Sequence, residues 1–220
     1  MNIASYIDHT ILKPTTLMTD VERICNEAKE YQFAAVCIPP LFVKKAKQFI
    51  EGSNVKLATV IGFPFGYSAV EAKIAETVLS IVDGADELDV VINISAIKNN
   101  DWQFLANEIN HIMPVIKNKN KIIKVIIESG ILTNDEIIKC CDIYGAAGID
   151  FMKTSTGYAE KGATIEAVEL MRKQLPDFVQ IKASGGIKSY TFAKQLIDAG
   201  VTRLGCSSSI QIVKESLQLS

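Results

Sequence analysis

Eight short apolar stretches recur along this 220-residue chain at a step of about 28 residues, the length of one strand–helix unit. They cover residues 6–10, 35–38, 56–62, 87–93, 121–129, 151–156, 179–184 and 203–207. Strands alternating with helices demand a parallel sheet, and eight of them close most simply on themselves. The expected fold is therefore a (β/α)8 TIM barrel, with residues 1–220 forming one domain. A doubly wound open sheet is the alternative, but no strand is followed by the G-x-G-x-x-G turn of a dinucleotide site. Helix starts are marked by Thr19-x-x-Glu22, Ser68-x-x-Glu71 and Thr133-x-x-Glu136, each with capping-box spacing. Gly84, Gly145 and Gly200 are expected to end helices, because glycine adopts the left-handed conformation without strain.

Alternation along each strand assigns side chains to a face. With Leu88 and Val90 turned toward the helices, Asp89 points inward. The same parity sends Lys124, Ile126 and Glu128, then Lys153, then Lys182 into the barrel. Burying an ammonium is costly unless it is paired or gives up its proton. Three cations against one or two carboxylates leave an amine hard to compensate, so a layer of structural ion pairs explains the set poorly. Lys153 lies in "FMKTSTG", whose hydroxyl-rich end suits chemistry at the C-terminal mouth of a barrel. On neighbouring strands, two ammonium groups ~5 Å apart repel by roughly 3 kcal/mol at an effective dielectric near 20. Repulsion from Lys182 and desolvation are both expected to favour a neutral, nucleophilic Lys153.

The last two strands end in "KASGG" and "GCSSS". Paired glycines let backbone approach an anion, and serines at a helix start add hydroxyl donors, so these loops suit a phosphate. Other signals are weaker. A net charge of −2 gives no footprint for nucleic acid or an anionic membrane, and the run Lys117-Asn118-Lys119-Asn120-Lys121 reads as a solvated helix end. No apolar run approaches the ~20 residues that span a bilayer. Two histidines and no Cys-x-x-Cys pair point away from a metal centre, although carboxylate ligation of magnesium stays open. Five cysteines, two of them adjacent, make a poor disulfide framework. With no signal-peptide pattern in Met1-Asn2-Ile3-Ala4-Ser5, a cytoplasmic protein with reduced thiols is expected. Asp8-His9 looks like a dyad, yet a histidine ending the first strand is more often a hydrogen-bonded packing residue.

The segments "YIDHTILKP", "VCIPP", "TVIGFPFG", "GADELDVVINI", "KVIIESGILT", "FMKTSTG", "IKASGGI" and "RLGCSSS" carry a resemblance. In that order and spacing the chain resembles the deoxyribose-phosphate aldolase family, in its short bacterial form, over essentially its whole length. The resemblance implies a lyase in deoxyribose phosphate catabolism that reversibly cleaves 2-deoxy-D-ribose 5-phosphate to acetaldehyde and D-glyceraldehyde 3-phosphate. It implies a lysine Schiff base and no cofactor. Carried over, the Schiff-base residue is Lys153, Asp89 and Lys182 transfer protons, and Lys124 supports the site. Phosphate ligands fall on Gly157, Gly185, Gly186, Ser207 and Ser208, with Thr156 and Cys37 near the sugar. Many members have glycine where this chain has Ser209, and small residues where it has Tyr158-Ala159-Glu160-Lys161. The expected partners are the sugar phosphate and acetaldehyde, with a homodimer left open. Another Schiff-base sugar-phosphate aldolase, or a phosphate-binding barrel without chemistry, are the rival readings.

Overall fold

The computed structural model describes residues 2–218. Strands β1 (Ile7–Thr10), β2 (Ala35–Ile38), β3 (Lys56–Ile61), β4 (Glu87–Val91), β5 (Ile122–Ile126), β6 (Phe151–Lys153), β7 (Gln180–Ser184) and β8 (Arg203–Cys206) close into a barrel in sequence order. Every neighbouring pair is parallel, β8 on β1 included. Around them run helices α1 (Met18–Tyr31), α2 (Val43–Phe49), α3 (Val70–Val82), α4 (Ile94–Lys98), α5 (Trp102–Lys117), α6 (Asn134–Ala146), α7 (Ile165–Gln174), α8 (Tyr190–Asp198) and α9 (Ser209–Gln218). Among the described residues, no helix is long and apolar enough to cross a membrane.

The main core lies between barrel and helices. Leu88, Val90, Ile123, Val125, Met152 and Ile181 all pack there, as the parity requires. The opposite faces meet inside the barrel. Its register sets Asp89 beside Lys124, Lys153 beside Lys182, and Lys182 beside Arg203.

Local signals fared unevenly. Thr133 and Glu136 form the expected reciprocal cap of α6, with N–H···O distances of 3.3 and 2.7 Å. At α1, however, the helix starts at Met18, and the Leu17 amide donates to Asp20 at 3.1 Å, so Thr19 is already inside. Helix α3 starts after Ala69 with no side-chain cap, one residue beyond Ser68. Gly84 and Gly200 have φ of 112° and 109°, but Gly145 remains helical. A Cβ on Gly145 would lie 2.9 Å from Cδ of Pro176, so its glycine serves close packing, and Gly148 (φ 73°) makes the turn.

Candidate active site

Inside the barrel the charged residues form one cluster on β1 and β4–β8. Lys124 reaches Glu87 at 2.6 Å and Oδ1 of Asp89 at 2.7 Å, with Asp8 at 3.7 Å. Lys182 is hydrogen-bonded to Asp8 and lies 2.7 Å from Oδ2 of Asp89. Arg203 donates to Asp8 at 2.7 Å and to Glu87 at 3.1 Å, and its guanidinium lies over the Phe151 ring. Lys153 has a single carboxylate, Asp89, whose Oδ2 is 2.8 Å from its Nζ.

Asp8, Glu87 and Arg203 were missing from the sequence-based count. Among the described residues, the ion-paired interior cluster holds four cations (Lys124, Lys153, Lys182, Arg203) and three carboxylates (Asp8, Glu87, Asp89), while buried Glu128, which also feels the charge of Lys153, is bonded to Thr156. A buried cluster with one uncompensated cation is costly, and releasing one proton removes the excess. Arginine cannot supply that proton. Burial pulls Lys124 and Lys182 down, but the carboxylates around each outweigh it and hold both above an ordinary lysine. At Lys153 burial is the largest influence, Lys182 acts in the same direction, and the pull of Asp89 does not compensate, so its pKa is lowered. The amine with fewest paired anions is the one whose pKa is lowered. Repulsion from Lys182 therefore contributes as expected, but it ranks behind burial. Asp89 stays an anion: burial acts to raise its pKa, yet Lys124, Lys153 and Lys182 hold it well below the usual range.

The other side of the interior is apolar. Ala35 and Cys37 on β2 and Ala58 and Val60 on β3 form a small cluster beneath Leu12 and Phe63. Cys37, expected near the sugar, is fully buried in that cluster, and burial pushes its thiol up.

Above the charged half, a cavity of about 670 Å³ opens at the C-terminal ends of the strands. Lys153, Thr156, Gly157, Gly185, Gly186 and Ser207 line it together. Gly157, Gly185 and Gly186 have φ of 90°, 85° and 78°, which side-chain-bearing residues rarely adopt. Gly205 makes room below: a Cβ there would sit 3.1 Å from Cε of Lys182. Ser208 does not line the cavity; its carbonyl accepts the Ile212 amide in the first turn of α9.

Glu128, which parity placed inward without a role, lies beside the cavity loop. Strand β5 stops at Ile126, and Glu128 takes φ 55°. Its carboxylate accepts the Thr156 amide at 3.2 Å and the Thr156 hydroxyl, fixing the loop after Lys153. Tyr158 also lines the cavity, donating from its hydroxyl to the Leu12 carbonyl at 2.7 Å with its ring edge-on to Phe63. Neither role has a sequence signal, since both depend on loop paths. His9 faces the opposite way from Asp8, 2.9 Å from the Ser209 hydroxyl and 2.7 Å from Glu27, so the two form no dyad.

An amine of lowered pKa beside a fixed anion, beneath a glycine- and serine-lined cavity, suits attack on a carbonyl with an anionic tail held above it. Comparison with known proteins points the same way. A family model described as DeoC/LacD family aldolase matches residues 2–208. A deoxyribose-phosphate aldolase of Caldanaerobacter subterraneus subsp. tengcongensis is 45% identical over 98% of this chain and 94% of its own. That of Thermococcus gammatolerans is 46% identical over 97% and 96%. Among solved structures, the tetrameric deoxyribose phosphate aldolase of Aeropyrum pernix superposes with a TM-score of 0.92 at 32% identity, covering 99% of this chain and 92% of that one.

Proposed function

Since the chain belongs to the DeoC/LacD family of aldolases, we propose that it reversibly cleaves 2-deoxy-D-ribose 5-phosphate to acetaldehyde and D-glyceraldehyde 3-phosphate through a Schiff base on Lys153. The observation that carries this reading is the charge imbalance around Asp89, which leaves Lys153 as the amine able to be neutral at the cavity floor. The names of the relatives supply the substrate, and the paired glycines and Ser207 suit its phosphate.

In the proposed reaction the Lys153 amine attacks C1 of the open-chain aldehyde, and the carbinolamine loses water to give an iminium. Asp89, an anion shared with Lys182, balances that new cation. The 3-hydroxyl gives up its proton, the C2–C3 bond breaks, and its electron pair moves into the enamine on Lys153. C3 becomes the aldehyde of glyceraldehyde 3-phosphate. Protonation of the enamine at C2 and hydrolysis release acetaldehyde and the free amine. Asp89 and Lys182, with water, pass these protons between hydroxyl and nitrogen. Lys124 keeps Asp89 oriented from its other oxygen. The iminium is the electron sink, so the scheme calls for no metal or organic cofactor.

Residues 1–220 would then be one catalytic domain working in the cytoplasm in deoxyribonucleoside breakdown. Self-association belongs to the same reading, supported by the tetramer of the A. pernix relative. A coupled assay of deoxyribose 5-phosphate cleavage with chelator present tests the reaction. Turnover is expected, and its absence with a folded protein would sink the assignment.

A further inference from the structure

The turn after β8 is braced from behind by a chain of polar side chains that the reaction scheme leaves unused. Ser209, fully buried, has one hydroxyl proton and donates it to the Cys206 carbonyl at 3.0 Å. Its oxygen is then left to accept from Nδ1 of His9, 2.9 Å away. The Cys206 carbonyl also acts on the His9 ring, a second acceptor that calls for a proton on Nδ1. The other ring nitrogen, Nε2, lies 2.7 Å from Oε2 of Glu27. Burial acts to raise the Glu27 carboxyl, but bonds from His9 and Arg23 outweigh it and keep it an anion. An anion accepts and cannot donate, so Nε2 needs a proton as well. All these bonds exist together only when His9 is an imidazolium. Yet burial, the largest influence on the ring, outweighs Glu27 and pulls its pKa below that of free histidine. At neutral pH burial thus favours a ring one proton short of the pattern.

We propose that His9 is a positioning residue for the phosphate: as an imidazolium it fixes Ser209 and the turn that carries Ser207, so the dianion and that proton bind cooperatively. The proposal rests on the reading of these loops as the phosphate seat. His9, Ser207 and Gly186 line the same cavity, so a dianion held there lies on the ring's side of the barrel. The dianion stabilises the imidazolium, and the imidazolium stabilises the dianion by the same free energy. A neutral ring has two choices, and each breaks a bond. If Nε2 keeps its proton, the Ser209 hydroxyl turns to Nδ1 and the Cys206 carbonyl loses that donor. If Nδ1 keeps it, a lone pair on Nε2 faces the Glu27 carboxylate. Glu27 and Arg23 reach the ring from α1, Ser209 from α9, and the Phe33 ring lies 5.1 Å away. Cys206 stands beside His9 in register, its thiol pushed up to about 12 by burial, and Asp8 points into the barrel. Lys13 and Lys188 line the cavity as well and add to its pull on an anion.

The chain has two histidines, and exposed His111 on α5 serves as an internal control. Imidazole signals of the full chain are titrated by NMR from about pH 5 to 8. One series contains sulfate, a dianion throughout, and the other chloride at equal ionic strength. Sulfate should raise the His9 pKa by about one unit and leave His111 unmoved, which means binding up to about tenfold tighter at the acid end. His9→Asn keeps a donor where Nδ1 stands but has no proton to gain. It should lose the pH-dependent part of sulfate binding. Its KM for deoxyribose 5-phosphate should rise severalfold near about pH 6, with kcat and the KM for unphosphorylated deoxyribose nearly unchanged. Equal losses on both sugars would reduce His9 to a packing residue. An unmoved His9 pKa, while sulfate shifts the amides of Gly185, Gly186 and Ser207, would overturn the coupling and leave the phosphate seat standing. Those amides unmoved by sulfate and by inorganic phosphate alike would overturn the seat, and this inference with it.

Discussion

Lys153 and Lys182 share one oxygen atom: both ammonium nitrogens sit on Oδ2 of Asp89, at 2.8 and 2.7 Å. Lys182 has Asp8 as a second ion-pair partner, whereas Lys153 has no second one among the described residues. In the proposed reaction this difference separates the nucleophile from its neighbour. Replacing Lys182 with Met keeps the packing but leaves Asp89 Oδ2 to Lys153 alone and removes a repelling charge. Both changes raise the pKa of Lys153. Borohydride trapping with acetaldehyde near pH 7 should slow by about tenfold and recover toward pH 9. Turnover should remain low throughout, because the relay is broken. An unchanged trapping profile would mean that burial alone sets the amine.

Glu128 holds the loop after Lys153 through two bonds to Thr156. Glu128→Gln removes the charge that strengthens them, and such charge-assisted bonds contribute about 1.5–3 kcal/mol. KM for deoxyribose 5-phosphate should rise about tenfold or more, while trapping by acetaldehyde, which does not use the loop, changes little. Steady-state kinetics beside trapping separate the two, and equal losses in both would assign Glu128 to the catalytic amine instead.

Ser207 lines the cavity beside the glycine pair. Ser207→Asp should raise KM for the phosphorylated sugar by about 100-fold but leave unphosphorylated deoxyribose nearly unaffected, since the new carboxylate repels only the dianion. Equal losses on both sugars would place the phosphate elsewhere.

Asp8 and Asp89 have pKa values held below the unfolded range: burial acts to raise them, but surrounding cations outweigh it. A carboxylate depressed on folding stabilises above its unfolded pKa, near 4, and loses that contribution as pH falls through the folded value. Asp8→Asn should lower stability at neutral pH by about 3–5 kcal/mol, because it leaves Lys182 and Arg203 short of a buried anion. The gap from wild type should narrow as pH falls below about 4. Urea unfolding across that range checks both statements, and a gap that is independent of pH would remove Asp8 from the titrating set.

The eightfold repeat and the inward parity of Asp89, Lys124, Lys153 and Lys182 were legible because alternation holds wherever a strand is flanked by apolar residues. Asp8 was missed on β1, where His9 interrupts the apolar outer face that sets the parity elsewhere, and Arg203 on β8, where it stands at the first residue of the strand. Glu87, two residues before Asp89 on β4, shares its inward face by the same alternation, and was legible though not counted. Alternation also fails past a strand's end: Glu128 comes two residues after β5, and its left-handed backbone, not parity, aims its carboxylate at Thr156. Tyr158 meets Leu12 across 146 residues of chain, a contact that only the closed barrel brings together.

The identity of the covalent lysine is the most direct test of the chemistry. Lys153, Lys182 and Lys124 crowd around one aspartate, and only Lys153 lines the cavity. Borohydride reduction in the presence of acetaldehyde, followed by peptide mass mapping, should place a single ethyl adduct on Lys153 and none on Lys153→Met. An adduct on Lys182 or Lys124, or equal labelling of Lys153→Met, would contradict the assignment of Lys153 as the nucleophile.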